Sequence, residues 1–408
     1  MWLHIDMNSY FASVEQQANP FLRGRPVGIC AYLNDYGCII ASSIEAKKRG
    51  VTTGMRVPEA RRMCPEILLV QNDPRKYRST TKRIFGILAE YTDSIEPYSI
   101  DEAFLAVNSD QKTVNSIAQE IKQRIRKEVG NWLRCSIGIA PTRWLAKFGS
   151  DFEKPDGLTI VTMDQLGAMY ARIGLTDAWG IGDRIALRLN RLGITNLNEL
   201  RAYPVANLME ALGSYGYQLW ANLNGIEFVN SEQETRNSAP KSIGHSYCLP
   251  AEAQAPSAAQ RVLMKLCEKT GRRLRADGRQ AWALAVAWAS ARGGSRHRRL
   301  HHPLWDSAAI FKESRDLIGD SFVGRVTFLA VTVSDLRFHT EQLSLLDSLA
   351  TSRPVPGNSP GYGIDDRLTK ALDAINDRYG DSGVIRGSMW RTSAFAHDRI
   401  GFRKTVKI

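Results

Sequence analysis

The chain has 408 residues, 43% hydrophobic and 24% charged, which is too long for one ordinary core and implies two to four domains. Lys and Arg outnumber Asp and Glu by 54 to 42, a formal net charge of +12, and this favours a polyanionic partner, nucleic acid or an anionic membrane surface. Six scattered cysteines (Cys30, Cys38, Cys64, Cys135, Cys248, Cys267) form no C-x-x-C pair and argue against a zinc site or a disulfide framework. No stretch approaches the ~18 apolar residues of a membrane span, and the N-terminus lacks a charged n-region and a long apolar h-region. The expectation is a soluble cytoplasmic protein with no membrane partner.

In chain order, an apolar run from Trp2 to Ile5 ends at Asp6. Gly37 to Ser42 reads as a strand. Arg75 to Tyr91 reads as a helix, with Tyr77, Thr81, Ile84, Leu88 and Tyr91 on one face. A turn signal, Pro97-Tyr98-Ser99, precedes Asp101 and Glu102, and a second apolar run follows from Ala103 to Val107. Val114, Ile117, Ala118, Ile121 and Ile125 recur at helical spacing, and Cys135 to Ile139 reads as a strand. Trp179-Gly180-Ile181-Gly182-Asp183 places Gly-x-Gly at a helix start, where free backbone N–H groups and the helix dipole favour a phosphate. A plain loop between packed helices is the alternative.

Ser231 to Pro240 is polar and reads as a tether. Beyond it, Leu263, Leu266, Cys267 and Leu274 mark a helix, and Ala281 to Trp288 alternates small and large residues as a strand does. Between Arg261 and Leu300 eleven Lys or Arg face two acids, Glu268 and Asp277, and Arg292, Arg296, Arg298 and Arg299 follow the strand directly. A run this basic is either a solvated face or a surface that tracks phosphates. A last strand, Val326 to Val333, precedes Gln342-Leu343-Ser344-Leu345-Leu346-Asp347, then a Pro-, Gly- and Ser-rich stretch from Thr351 to Tyr362 and a helix from about Ile364 to Tyr379.

Asp6, Asp101 and Glu102 are the candidate reactive groups. Three carboxylates at strand ends can hold two hard divalent cations, which prefer oxygen ligands and share them with substrate phosphates. Consecutive strand residues point to opposite faces, so Asp101 and Glu102 reach one cation only if the backbone turns there. The competing reading is a surface hairpin with solvated acids.

Asp6-Met7-Asn8-Ser9-Tyr10-Phe11-Ala12-Ser13-Val14-Glu15 and Ser99-Ile100-Asp101-Glu102-Ala103-Phe104 resemble the two metal-binding motifs of the Y-family, or translesion, DNA polymerases. Ser136 to Ala140 with Leu145-Ala146-Lys147 and Asp151 to Gly157 resembles the family's third motif. The resemblance implies an α+β, multidomain right-hand polymerase. Its parts are a ferredoxin-like palm with small fingers (1–162, fingers about 20–76) and a helical thumb with a helix-hairpin-helix (163–231). A linker (232–241), a C-terminal α/β little finger (242–338) and a tail (339–408) follow.

By the same resemblance, two Mg²⁺ are held by Asp6, Asp101, Glu102 and the Met7 carbonyl, and a deoxynucleotide is transferred to a primer 3′ hydroxyl. Tyr10, Lys47, Lys48 and Lys154 contact the nucleotide, with Phe11 as a steric gate against a ribose hydroxyl. The fingers segment departs from the common pattern at Ile44, often a tyrosine, and at Lys47, often an arginine. Gly180, Gly182, Arg292, Arg296, Arg298 and Arg299 contact primer-template DNA. Gln342, Leu343, Leu345 and Leu346 resemble the peptide that docks on a bacterial sliding clamp. Asn34 to Ala41 and Asp373 to Gly380 resemble the UmuC-like branch, the catalytic subunit of polymerase V, which raises a UmuD-like accessory subunit as a partner. A non-enzymatic DNA-binding repair scaffold and a palm-type nucleotidyl cyclase are the alternatives.

Overall fold

The computed structural model describes residues 1–227, 240–338, 366–380, 383–390 and 392. The chain divides into two compact units, one up to residue 234 and one beginning at residue 235.

The first unit opens with β1 (Trp2–Met7), α1 (Tyr10–Ala18), β2 (Val27–Cys30), β3 (Ile39–Ser42), α2 (Ile44–Lys48), α3 (Val57–Met63), β4 (Leu68–Gln71) and α4 (Pro74–Leu88). It continues with β5 (Ile95–Pro97), β6 (Glu102–Ala106), α5 (Gln111–Arg124), β7 (Cys135–Ala140), α6 (Arg143–Phe152) and β8 (Leu158–Ile160). Five of these strands form a sheet in the order β5-β6-β1-β7-β8. Its first four positions are the antiparallel ferredoxin-like order, and β8 extends the edge parallel to β7.

Period-two alternation splits β1 between two layers. Leu3, Ile5 and Met7 are buried in one core with Ile84 and Leu88 of α4 and Val114, Ala118 and Ile121 of α5. Trp2, His4 and Asp6 turn the other way, and His4 lies on α6 through Ser150. The helix read as Arg75 to Tyr91 starts at Pro74, where the Asp73 side chain accepts from the N–H groups of Arg75 and Lys76, and it ends at Leu88. Tyr91 lies beyond the helix yet still packs against the same core.

The strands β3-β2-β4 make a separate small sheet over Cys30, Ile39, Ala46, Val51, Val57, Ala60, Cys64 and Ile67. Helices α7 (Leu166–Tyr170), α8 (Asp183–Arg191), α9 (Leu197–Ala202), α10 (Val205–Leu212) and α11 (Ser214–Leu223) close the unit around a core that includes Leu189, Leu197, Leu208 and Leu219.

The second unit contains β9 (Ser242–Cys248), α12 (Pro256–Ala276), β10 (Arg279–Ala289), β11 (Gly294–Leu304), α13 (Ser307–Ile318), β12 (Phe328–Phe338) and α14 (Asp366–Tyr379). Its antiparallel sheet runs β11-β10-β12-β9. Leu284, Val286, Trp288, Leu329, Val331 and Val333 bury one face against α12 and α13. The other face carries small side chains in register: Ala285 beside Thr332 beside Gly244, and Ala287 beside Ala330 beside Ser246. Helix α14 is held on α12 by ion pairs, Arg275 to Asp373 at 2.6 Å and Arg272 to Asp377 at 2.6 Å. No disulfide links the six cysteines, and no helix among the described residues is long and apolar enough to cross a membrane.

One glycine sets the depth at which α6 packs. Gly138 of β7 lies opposite His4, and a Cβ there would stand 1.9 Å from the Ala146 carbonyl oxygen and 2.4 Å from the Ser150 nitrogen. The bare backbone lets α6 lie directly on the sheet. Gly138→Ala must push the helix outward, so a loss of about 1–3 kcal/mol in a denaturant melt is expected. Unchanged stability would show that α6 is not seated on this glycine.

Candidate active site

Asp6 and Glu102 are directly opposed in the antiparallel β1–β6 register and therefore share one face of the sheet. Asp101 precedes the strand and sits in a bend, where its carbonyl accepts from the Met7 N–H at 3.0 Å. The backbone turn that lets neighbouring acids serve one site is thus present, because β6 begins at Glu102. The Ser99 hydroxyl donates to Asp101 Oδ1, and the Asp101 N–H returns to Ser99 Oγ at 3.2 Å.

The three carboxylates act on one another. Burial pushes the Asp101 carboxyl up to about 6, with the negative charges of Asp6 and Glu102 adding to it and the Ser99 hydrogen bond opposing. Burial also raises Asp6, against the pull of Lys154. Burial acts upward on Glu102 too, but His4 and Lys147 outweigh it and hold the group down at about 2.

Lysine ammonium groups surround this cluster. Lys154 Nζ donates to Asp6 Oδ2 at 2.6 Å and lies 2.7 Å from Asp151 Oδ1. Its loop is tied to the start of α1, since the Asp156 N–H donates to Asn8 Oδ1 at 2.6 Å. Lys147 Nζ donates to Glu102 Oε2 at 3.0 Å. Lys47, on α2, is lowered first by the burial of its ammonium and then by the charge of Lys154, while Asp6 and Asp101 pull the other way, which places it in the same field. Lys48 is exposed on the same turn.

One expectation needs correction. The Tyr10 side chain is not open to a nucleotide: it is 3% exposed, and its hydroxyl donates to the Tyr77 carbonyl at 2.9 Å. Only its backbone N–H, in the first turn of α1, remains for a ligand. Asp6 and Glu102 are each paired with an ammonium, Lys154 and Lys147, and among the described residues no group of three acidic, His or Cys side chains is placed to hold a metal ion. The donor set fits a hard dication: these are oxygen ligands, and Asp101 is raised first by burial and then by the charges of Asp6 and Glu102, which a cation would offset.

Residues 5–151 match the impB/mucB/samB family, and residues 240–345 match the C-terminal domain of the same family. DNA polymerase IV 1 of Bacillus subtilis (strain 168) is 32% identical over 391 residues, covering 94% of this chain and 92% of that protein. The chain belongs to the Y-family DNA polymerases. DNA polymerase IV of Moorella thermoacetica is 34% identical and covers 93% of this chain and 94% of its own length. A solved Y-family DNA polymerase chimera, Dbh-Dpo4(243-245)-Dbh, superposes with a TM-score of 0.69 at 23% identity, over 83% of this chain and 99% of its own, and shows the shared fold. The protein is a translesion-type DNA-directed DNA polymerase, and the scaffold and cyclase alternatives fall. The relatives named are DNA polymerases IV, not UmuC proteins.

In this Y-family polymerase, Phe11 is half-buried and its ring stacks on Tyr77 with centroids 4.3 Å apart and planes at 8°. At the hairpin, Gly180 has φ +99°, and its carbonyl accepts from the Tyr215 hydroxyl. Gly182 caps α8. The four arginines do not share one face. Arg296 donates to the Leu317 carbonyl at 2.6 Å and Arg298 to Glu313 at 3.3 Å, both residues of α13. Arg299 points to the opposite face and pairs with Asp335 at 3.1 Å. Arg292 lies in the turn before β11, where its carbonyl accepts from Trp288 Nε1. Gln342, Leu343, Leu345 and Leu346 lie outside the described residues.

Sequence reasoning quoted Asn8 and Lys147 within motifs but gave neither a role, and it passed over His4. The period-two spacing of His4 and Asp6 was a usable signal for His4, but nothing local pairs Lys147 with an acid 45 positions away.

The raised Asp101 carboxyl has a thermodynamic consequence in metal-free buffer. Above pH 6 the folded wild type bears the full cost of ionising it, and below its ordinary value of 3.8 both folded and unfolded chains are protonated. Asp101→Asn should therefore melt higher than wild type above pH 6, and the gap should close as the pH falls toward 3.8. An Asn variant that melts no higher at neutral pH contradicts a strained carboxylate.

Proposed function

We propose that this polymerase transfers a deoxynucleotide to a primer 3′ hydroxyl at the Asp6, Asp101 and Glu102 cluster, in the cytoplasm, as its translesion activity. The observation that carries the reading is the cross-strand opposition of Asp6 and Glu102 with Asp101 delivered beside them by the Met7 hydrogen bond. Two Mg²⁺ held by these carboxylates and the Met7 carbonyl would acidify the primer hydroxyl and neutralise the departing pyrophosphate.

The chain's own residues do the rest. Lys154 and Lys47 present ammonium charge toward the triphosphate, with Lys48 beside them, and the N–H groups opening α1 add donors for phosphate oxygens. Phe11, backed by the Tyr77 ring, leaves no room for a ribose 2′-hydroxyl. Gly180 and Gly182 bring backbone N–H groups to a DNA phosphate, and such contacts hold a duplex without reading its bases. The small-residue face of the second unit's sheet, rimmed by Arg299, suits a close approach to DNA, while Arg292, Arg296 and Arg298 add charge nearby. Gln342, Leu343, Leu345 and Leu346 dock a sliding clamp in this reading. The UmuC-like segment Asn34 to Ala41 makes a UmuD-like subunit the accessory partner to test, by extension with and without it.

Primer extension with Mg²⁺ and deoxynucleotides tests the site. Asp101→Ala should lower kcat/KM by roughly a hundredfold or more while primer-template affinity holds; extension at the wild-type rate removes these acids from the reaction. Phe11→Ala should raise ribonucleotide use relative to deoxynucleotide by roughly tenfold. An unchanged sugar preference takes the gate role from Phe11.

A further inference from the structure

A second layer of charge lies behind the carboxylates, and the reaction as proposed does not use it. The Lys147 side chain is 9% exposed, and its ammonium bonds Oε2 of Glu102 at 3.0 Å. Oε1 of Glu102 accepts no hydrogen bond from the described residues.

Lys147 is the donor within hydrogen-bond distance of Oε2. The Ser150 hydroxyl donates to the Lys147 carbonyl at 2.8 Å, and His4 Nδ1 lies 2.6 Å from Ser150 Oγ. His4 Nε2 is the ring nitrogen on the Glu102 side. It stands 3.6 Å from Glu102 Oε2 without a hydrogen-bond partner.

The ammonium is also boxed by aromatic faces. Its nitrogen lies 5.3 Å from the Tyr98 ring centroid and 5.9 Å from that of Trp179. Tyr98 and Trp179 meet edge to face at 5.6 Å, and Trp179 also packs on Phe104, two residues beyond Glu102 on the same strand face. Trp179 is the residue immediately before Gly180, and its carbonyl is fixed by Trp144 Nε1 at 3.0 Å. The hairpin proposed to grip DNA therefore begins with a ring that rests on the lysine holding a proposed metal ligand.

We infer that Lys147 is a positioning residue for Glu102, and that Trp179 ties it to the thumb hairpin so that the hairpin sets the affinity of the site for a divalent cation. The inference rests on the metal-site reading above. Lys147 takes one carboxylate oxygen and fixes the rotamer, which leaves the other oxygen aimed for a cation. Outer-shell groups of this kind orient ligands, and their loss typically costs about 10–100-fold in metal affinity.

The test is Mn²⁺ binding to the full chain, followed by electron paramagnetic resonance, with circular dichroism to verify folding. Lys147→Met should weaken Mn²⁺ binding by about tenfold or more, and Lys147→Arg, which keeps a donor, should recover most of it. Trp179→Leu should weaken binding in the same direction, and the double variant should bind no worse than Lys147→Met alone, because the two act through one group. A Lys147→Met protein that binds Mn²⁺ like wild type overturns the inference. So does a Trp179→Leu loss that adds in full to that of Lys147→Met. Asp101→Asn separates the two levels of argument: if it binds Mn²⁺ as well as wild type, or if wild type binds none, the metal site itself falls and the positioning role falls with it.

Discussion

The antiparallel pairing of β1 with β6 is the constraint on which the site depends. It sets Asp6 against Glu102 and draws Asp101 in through a hydrogen bond from the Met7 N–H. A slip of one residue would turn Asp6 into the hydrophobic layer and set Ile5 or Met7 opposite Glu102. Leu3, Ile5 and Met7, buried on the opposite face of β1, are what forbid that slip. The apolar core of the palm is therefore also the device that aligns the acids.

Gathering like charges in a half-buried place is unfavourable, and the fold compensates locally. Lys154 answers Asp6, Lys147 answers Glu102, and Ser99 binds Asp101. Both lysines come from α6 and the loop after it, so the compensation depends on how closely α6 approaches the sheet, which Gly138 permits. Asp101 remains the least satisfied of the three, raised by burial and its neighbours. A carboxylate in repulsion is what a divalent cation would relieve.

The second unit handles charge differently. Its arginines are largely tied to acids or carbonyls of the same unit: Arg298 to Glu313, Arg299 to Asp335, and Arg272 and Arg275 to α14. The Arg299–Asp335 pair lies toward solvent and is weak in water. Glu313 is buried, so Arg298 compensates a carboxylate that would be costly to leave alone, and Arg275, 5% exposed and bonded to Asp373, serves to fix the helix that follows.

Much of this was legible in the amino-acid order. The helical spacing from Val114 to Ile125, the alternation from Ala281 to Trp288 and the acidic motifs at Asp6 and Asp101-Glu102 all express local periodicity or composition, which a linear chain carries in full. The resemblance of those motifs to a polymerase family named the chemistry. Only the folded chain decided that Tyr10 turns inward to Tyr77 and Thr81, that the basic run splits across two faces of β11, and that Lys147 and Trp179 stand behind Glu102. Those outcomes depend on contacts between residues tens of positions apart and on which face of a strand a core selects. No local pattern encodes them, because they are settled by packing.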